Sequence, residues 1–209
     1  MAFFAAHPIS NVNLHNGITS VGPGAFVACN LEFVYIPDSV TEIKDAAFTQ
    51  CLYLTEFRGK FATEDGLALI VDGTFHAFAN GSGITEYTIP EGVATIGECA
   101  FNKAYSLKSV TIPDSVTTIG NGAFRYCSSL TSVTIPDSVT SIGKNAFQYC
   151  SSLTSVYCKA TTPPALGGTS VFDNNGSGRK IYVPAGSTSA YKSAQGWSEY
   201  ADDIVGYNF

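Results

Sequence analysis

Charge is scarce in this chain. Asp, Glu, Lys and Arg make up 13% of its 209 residues, and the acids outnumber the bases 17 to 11, for a formal net charge of −6. The eleven Lys and Arg are scattered rather than striped, so the electrostatic footprint of a DNA- or RNA-binding protein is missing and nucleic acid is not expected as a partner. Long apolar runs are missing too: Leu67-Ala68-Leu69-Ile70-Val71 is among the longest, far short of the roughly 20 residues that cross a bilayer as a helix. No transmembrane segment is expected. The opening Met1-Ala2-Phe3-Phe4-Ala5-Ala6-His7-Pro8 has no basic n-region and no full apolar h-region, so it does not read as a secretion signal. The chain is then either cytosolic or exported by a signal outside this sequence. Its three histidines, His7, His15 and His76, share no motif, and neither a nucleophile elbow nor a phosphate-binding Gly-Lys-Ser/Thr loop occurs. The sequence gives no reason to expect catalysis or a cofactor.

What it has instead is 45% hydrophobic residues, enough to bury a sizeable core in one soluble body, and a repeat. Thr111-Ile112-Pro113-Asp114-Ser115-Val116-Thr117 returns 23 positions later as Thr134-Ile135-Pro136-Asp137-Ser138-Val139-Thr140, and Ile89-Pro90-Glu91-Gly92-Val93 lies another 23 upstream. Ala-Phe recurs at Ala25-Phe26, Ala47-Phe48, Ala100-Phe101, Ala123-Phe124 and Ala146-Phe147, with spacings of 22, 53, 23 and 23. The long spacing hides an irregular unit, with an insertion at about 58–83 whose Asp65-Gly66, Asp72-Gly73 and Gly81-Ser82-Gly83 predict a hairpin.

Within a unit, Val110 and Ile112 alternate with Ser109 and Thr111 as in a strand that buries one face, and Pro113-Asp114 ends it. A single coil has too little interior to stand alone, so the coils must stack, with buried ladders of Leu31, Leu54, Leu107, Leu130 and Leu153, of Ala25 through Ala146, and of Phe26 through Phe147. A short helix or 3₁₀ turn is expected around Ala-Phe. Three segments result: an N-terminal extension at 1–8, a solenoid at 9–158 and a C-terminal cap at 159–209, where Thr162-Pro163-Pro164 breaks the period, Ile181-Tyr182-Val183 reads as a last strand, Ser187 caps a short helix and Trp197 packs beneath.

The consensus Leu-x-x-Val-x-Ile-Pro-x-Ser-Val-Thr-x-Ile-Gly-x-x-Ala-Phe-x-x-Cys resembles the repeat of bacterial BspA-type leucine-rich-repeat surface proteins. The likeness covers about residues 9–158, and the tail is similar to the ending of many such proteins. It implies a right-handed leucine-rich-repeat solenoid of 22–23-residue coils, mostly β. It further implies a location on the cell surface or in secreted form and adhesion to an extracellular protein of a host or another bacterium.

Other candidate chemistry has a plain competing reading. Cys29, Cys51, Cys127 and Cys150 hold one repeat position, taken by Ala104 in the unit that starts at Ile84, which points to small buried side chains with free thiols rather than to zinc or disulfides. Asp173-Asn174-Asn175-Gly176-Ser177-Gly178 matches half of a calcium loop, but Pro184 stands where the bidentate carboxylate belongs. Asp38, Glu91, Asp114 and Asp137 stack just after Pro, where they either cap turn N–H groups or share an ion. Asn-Gly-Ser at Asn80 and Asn175 would accept glycans only in a eukaryotic secretory route.

The binding candidates are the outward strand residues. One row holds Tyr35, Arg58, Thr88, Thr111, Thr134 and Tyr157, and the row beside it starts at Phe33. They are expected to share one continuous sheet face, although Thr suits a solvated strand without any ligand. Exposed aromatics favour recognition, so a protein partner is the first expectation and a glycan stacked on Tyr35, Tyr157 or Trp197 the second. The insertion, with Phe75, His76 and Phe78, is a further candidate.

Overall fold

The computed structural model describes residues 10–209. The extension at 1–8, His7 and the signal-peptide question lie outside the described residues. The rest is a β-solenoid whose backbone hydrogen bonds run mainly along the stacking axis, from each coil to the next.

One side carries the longer strands, Asn11–Asn13, Phe33–Ile36, Glu56–Gly59, Glu86–Thr88, Ser109–Thr111, Ser132–Ile135, Ser155–Cys158, Lys180–Pro184 and Ile204–Tyr207. All their pairings are parallel. A second side carries two-residue strands such as Thr95–Ile96, Thr118–Ile119 and Ser141–Ile142, again in parallel register. Between the two sides, the Pro-x-Ser turn is tied to the preceding coil by serine: the hydroxyls of Ser39, Ser115 and Ser138 donate to the carbonyls of Ile18, Val93 and Val116 at 2.7–2.8 Å.

The Ala-Phe corner differs from the expected helix or 3₁₀ turn. It is a stack of turns, and the pair is flanked by left-handed residues: Cys99 and Lys103 in one coil, Gly122 and Tyr126 in the next, Asn145 and Tyr149 in the third. The alternation aims every second N–H along the axis. Gly122, Phe124 and Tyr126 donate to the carbonyls of Lys144, Ala146 and Gln148 at 2.8–2.9 Å. A helix would spend those donors within its own coil, whereas the solenoid uses them as a third inter-coil ladder. At Gly97, Gly120 and Gly143 the adjacent coil leaves no room for a side chain: a Cβ on Gly143 would stand 2.4 Å from the Asn121 nitrogen.

The core follows the ladders named from the sequence. Leu31, Leu54, Leu107, Leu130 and Leu153 are fully buried. Phe101, Phe124 and Phe147 stack at 4.9 and 5.1 Å between ring centroids, and Phe172 extends the column at 5.5 Å. The Cys51, Cys127 and Cys150 thiols donate to the carbonyls of Phe26, Phe101 and Phe124, one coil back, at 3.0–3.1 Å. Burial pushes the Cys51 thiol up to about 12, and raises Cys127 strongly as well.

The insertion forms the expected hairpin, Ala68–Val71 with Thr74–Phe78, and Thr74–Phe78 then pairs in parallel with Thr95–Ile96. Both hairpin faces are buried. Ala68, Phe75 and Phe78 join the core on the C-terminal side, while Leu69, Val71, Ala77 and Ala79 join the core on the N-terminal side, so the hairpin separates two apolar bodies. Phe75 and Phe78 therefore offer nothing to a partner, contrary to the expectation for a loop. The two Asn-Gly-Ser motifs are one device used twice. Gly81 and Gly176 donate their N–H to Leu54 and Leu153 of the leucine ladder, and the Asn80 and Asn175 amides donate to the carbonyls of Asn102 and Phe147 at 2.9 and 2.7 Å.

Stacking continues beyond residue 158: Ala165–Leu166 extends the short-strand sheet and Lys180–Pro184 the long-strand sheet. The end is then closed by the helix Thr188–Ser193 and the 3₁₀ turn Trp197–Tyr200. Ser187 precedes that helix without a side-chain cap bond, contrary to the capping role expected of it. Trp197 is 0% exposed and donates its indole N–H to Pro164 O at 2.7 Å, so it is part of the cap core and not a platform for a sugar.

Three outcomes are expected. Phe124→Ala removes a ring packed between two others and should cost about 3–5 kcal/mol of unfolding free energy in chemical denaturation. A polar thiol reagent should label Cys99, which is partly exposed, and reach the buried Cys51, Cys127, Cys150 and Cys158 only on unfolding. Burial lowers the pKa of His76 in the hairpin against the opposing pull of Asp45 and Asp72. The unfolded chain therefore binds that proton first, and this part of the stability, intact above about pH 6.5, is lost as the pH falls below it. Melting temperature should drop on acidification through that range, and His76→Gln should flatten the slope.

Candidate binding surface

Period-two alternation sorts each long strand. Val34 and Ile36 point into the core, whereas Phe33 and Tyr35 point out. Parallel register then aligns outward residues across coils, with Phe33 beside Glu56 and Tyr35 beside Arg58. The Arg58 guanidinium lies 5.1 Å from the Phe33 ring centroid and donates to Glu56 at 2.7 Å. That bond lowers the Glu56 carboxyl and raises Arg58. Tyr35, 40% exposed, lies across Gly59. A Cβ there would meet Ile36 O at 2.1 Å and the tyrosine ring at 3.0 Å, and φ is +84°, so glycine is required.

Thr88 pairs with Thr111, both exposed. Thr134, also exposed, lies beside Tyr157, which in turn lies beside Tyr182. The face is not the single sheet expected from the repeat. Its strands pair in groups of three, two and four, with breaks between Arg58 and Thr88 and between Thr111 and Thr134. At the first break the inserted hairpin enters, and the missing coil leaves Glu56–Gly59 without a strand partner on that side.

The C-terminal part of the face holds an aromatic group that did not stand out in the sequence. The Tyr157 and Tyr182 rings stack at 4.8 Å and 14°, the Tyr207 ring meets both edge-on at 5.7 and 5.6 Å, and Phe209 follows at 5.1 Å. Tyr207 and Phe209 are largely exposed. The available signal was the spacing of 25 between Tyr157 and Tyr182, which equals that between Phe147 and Phe172.

The remaining candidates resolve into structure. Among the described residues Asp38, Glu91, Asp114 and Asp137 make no side-chain cap bond; after Asp38, Asp114 and Asp137 the next residue, a serine, ties the turn to the neighbouring coil. Among the described residues no three His, Cys, Asp or Glu side chains gather as a metal would require. Beside the calcium-like Asp173 to Gly178 segment, the positive charge is supplied by Arg179, which pairs with Asp203, donates to Phe172 O and lies 5.0 Å from the Tyr200 ring centroid. Burial pushes the Tyr200 phenol up to about 12. His15 and His76 sit in different coils with no nucleophile bonded to either.

No curated protein matches the chain. Solved structures do. A leucine-rich repeat protein from Eubacterium ventriosum is 26% identical over 83% of this chain and 47% of its own length, with a TM-score of 0.67. A leucine rich cell surface protein from Faecalibacterium prausnitzii is 23% identical over 96% of this chain and 64% of its own, with a TM-score of 0.62. The pneumococcal vaccine antigen PcpA shares the fold at 16% identity, covering 96% and 68%, with a TM-score of 0.54. The chain thus spans about half to two-thirds of the length of the first two. Among the described residues no helix is long and apolar enough to cross a membrane. The family model for the BspA type leucine rich repeat region matches six copies across residues 1–61 and 74–197, and with the stacked coils and their leucine and phenylalanine ladders this establishes that the chain belongs to the BspA-type leucine-rich-repeat family.

Proposed function

We propose that the chain is a non-catalytic binding module, displayed at the cell surface or secreted, that holds an extracellular protein partner through the outward face of its long strands. The observation that carries this reading is the placement of aromatic side chains on a rigid, stacked face. Phe33, Tyr35 and Arg58 stand at one end and Tyr157, Tyr182 and Tyr207 at the other, with the exposed hydroxyls of Thr88, Thr111 and Thr134 between them. Tyrosine and arginine dominate recognition surfaces because they bury large areas at low entropic cost, and the scaffold fixes these side chains beforehand, which lowers the cost of ordering them. The similarity to a leucine rich cell surface protein supports the setting.

The measurement is direct binding of the purified chain to immobilised extracellular matrix proteins and, in parallel, to a glycan array. Saturable binding to a protein is expected, with the Tyr35→Ala/Tyr157→Ala double variant weaker by at least about tenfold, since truncating a central aromatic typically costs more than 1 kcal/mol. Glycan binding lost in the same variant would replace the protein reading with a carbohydrate one. Protein binding that the variant leaves unchanged would remove this face from consideration.

A further inference from the structure

The corner opposite the strands carries a second constellation. Where the hairpin interrupts the stack, Phe78 donates its N–H to Ala100 O at 3.0 Å, and the Ala47-Phe48 and Ala100-Phe101 corners meet through side chains: Lys103 donates to Gln50 at 2.9 Å across 53 residues of sequence. From this junction a groove of about 330 Å³ runs along the axis and is lined by residues of four coils. Its lining includes the left-handed residues Cys99, Gly122 and Asn145, with Glu98 and Lys144 preceding that column in their coils and Asn102 and Arg125 following it.

Three properties mark the groove as built for a ligand. Asn102, which lines the groove, is 4% exposed, yet its Oδ1 accepts no hydrogen bond. A buried polar atom left unpaired is costly. Arg125 is held in place: its Nε donates to Gln148 at 3.0 Å, and its guanidinium lies 4.7 and 5.7 Å from the ring centroids of Tyr126 and Tyr149, which stack on each other at 4.8 Å. Finally, three of the chain's eleven cations, Lys103, Arg125 and Lys144, gather here against Glu98 and Asp45 in a protein of net charge −6.

We propose that this groove binds an extended acidic peptide segment of a protein partner. Carboxylates of the segment pair with Arg125 and Lys144, and one of its backbone N–H groups donates to Asn102 Oδ1. Four coils are separated by three steps, about 14 Å in all, which matches about four residues of extended chain. No aromatic ring lines the groove, so a sugar finds no face to stack on there and a peptide suits it better than an acidic glycan. The site is independent of the strand face.

The test is fluorescence anisotropy with a labelled peptide of alternating aspartate and glutamate, run beside its asparagine and glutamine counterpart and a labelled uronic acid oligosaccharide. Saturable binding of the acidic peptide alone is expected, weakened tenfold or more by Lys144→Glu, unchanged by Tyr35→Ala/Tyr157→Ala, and much less affected by Lys180→Glu on the strand face. Equal binding of the amide peptide, or equal loss in Lys180→Glu and Lys144→Glu, would overturn the proposal by showing that the groove does not read the carboxylates. So would absence of saturable binding, or preference for the oligosaccharide.

Discussion

Everything in this molecule depends on hydrogen bonds that run along the solenoid axis rather than within a coil. A coil of 22 or 23 residues has too little interior to hold its own leucine, phenylalanine and cysteine out of water. Its backbone polar groups need partners as well. Stacking meets both needs at once, and does so on every side: the long strands, the short strands, the serine hydroxyls at the proline turn and the alternating N–H groups at the Ala-Phe corner all reach a neighbouring coil. The recurrence of Gly97, Gly120 and Gly143 follows from this geometry, because each is set by the approach of the adjacent backbone rather than by turn flexibility.

The hairpin shows what happens when that rule is interrupted. Instead of being expelled as a surface loop, the inserted segment supplies a two-sided apolar wall, so each core meets a buried face. The cost of the interruption appears elsewhere. The strand face is broken between Arg58 and Thr88, and the corner at the junction keeps a groove lined by Asn102 with its unpaired Oδ1.

Much of this was legible in the sequence. Strands, ladders, the hairpin and the burial of Trp197 follow from period-two alternation, a fixed spacing and a C-terminal end that must be covered. The corner was not, because Ala-Phe suggests helix, while the deciding signal lies in its neighbours. Gly24, Gly122 and Asn145 hold one position that takes a positive φ, which glycine and asparagine adopt most easily, while Ala46 and Cys99 hold it in the other two corners and blur the signal. Tyr182 and Tyr207 escaped notice because the spacing lengthens to 25 after Phe147, so register with Tyr157 is visible only in space. The Arg125, Tyr126 and Tyr149 group joins two coils, and a single unit gives no hint of it.

Amide hydrogen exchange at the corner tests the central claim most directly. If the corner is an inter-coil ladder, the N–H groups of Phe101, Phe124 and Phe147 should be protected to the same degree as those of the strand residues Val110, Val133 and Val156. Exchange at those phenylalanines as fast as in exposed turns, with the strands still protected, would contradict it and reduce the corner to a connection between sheets.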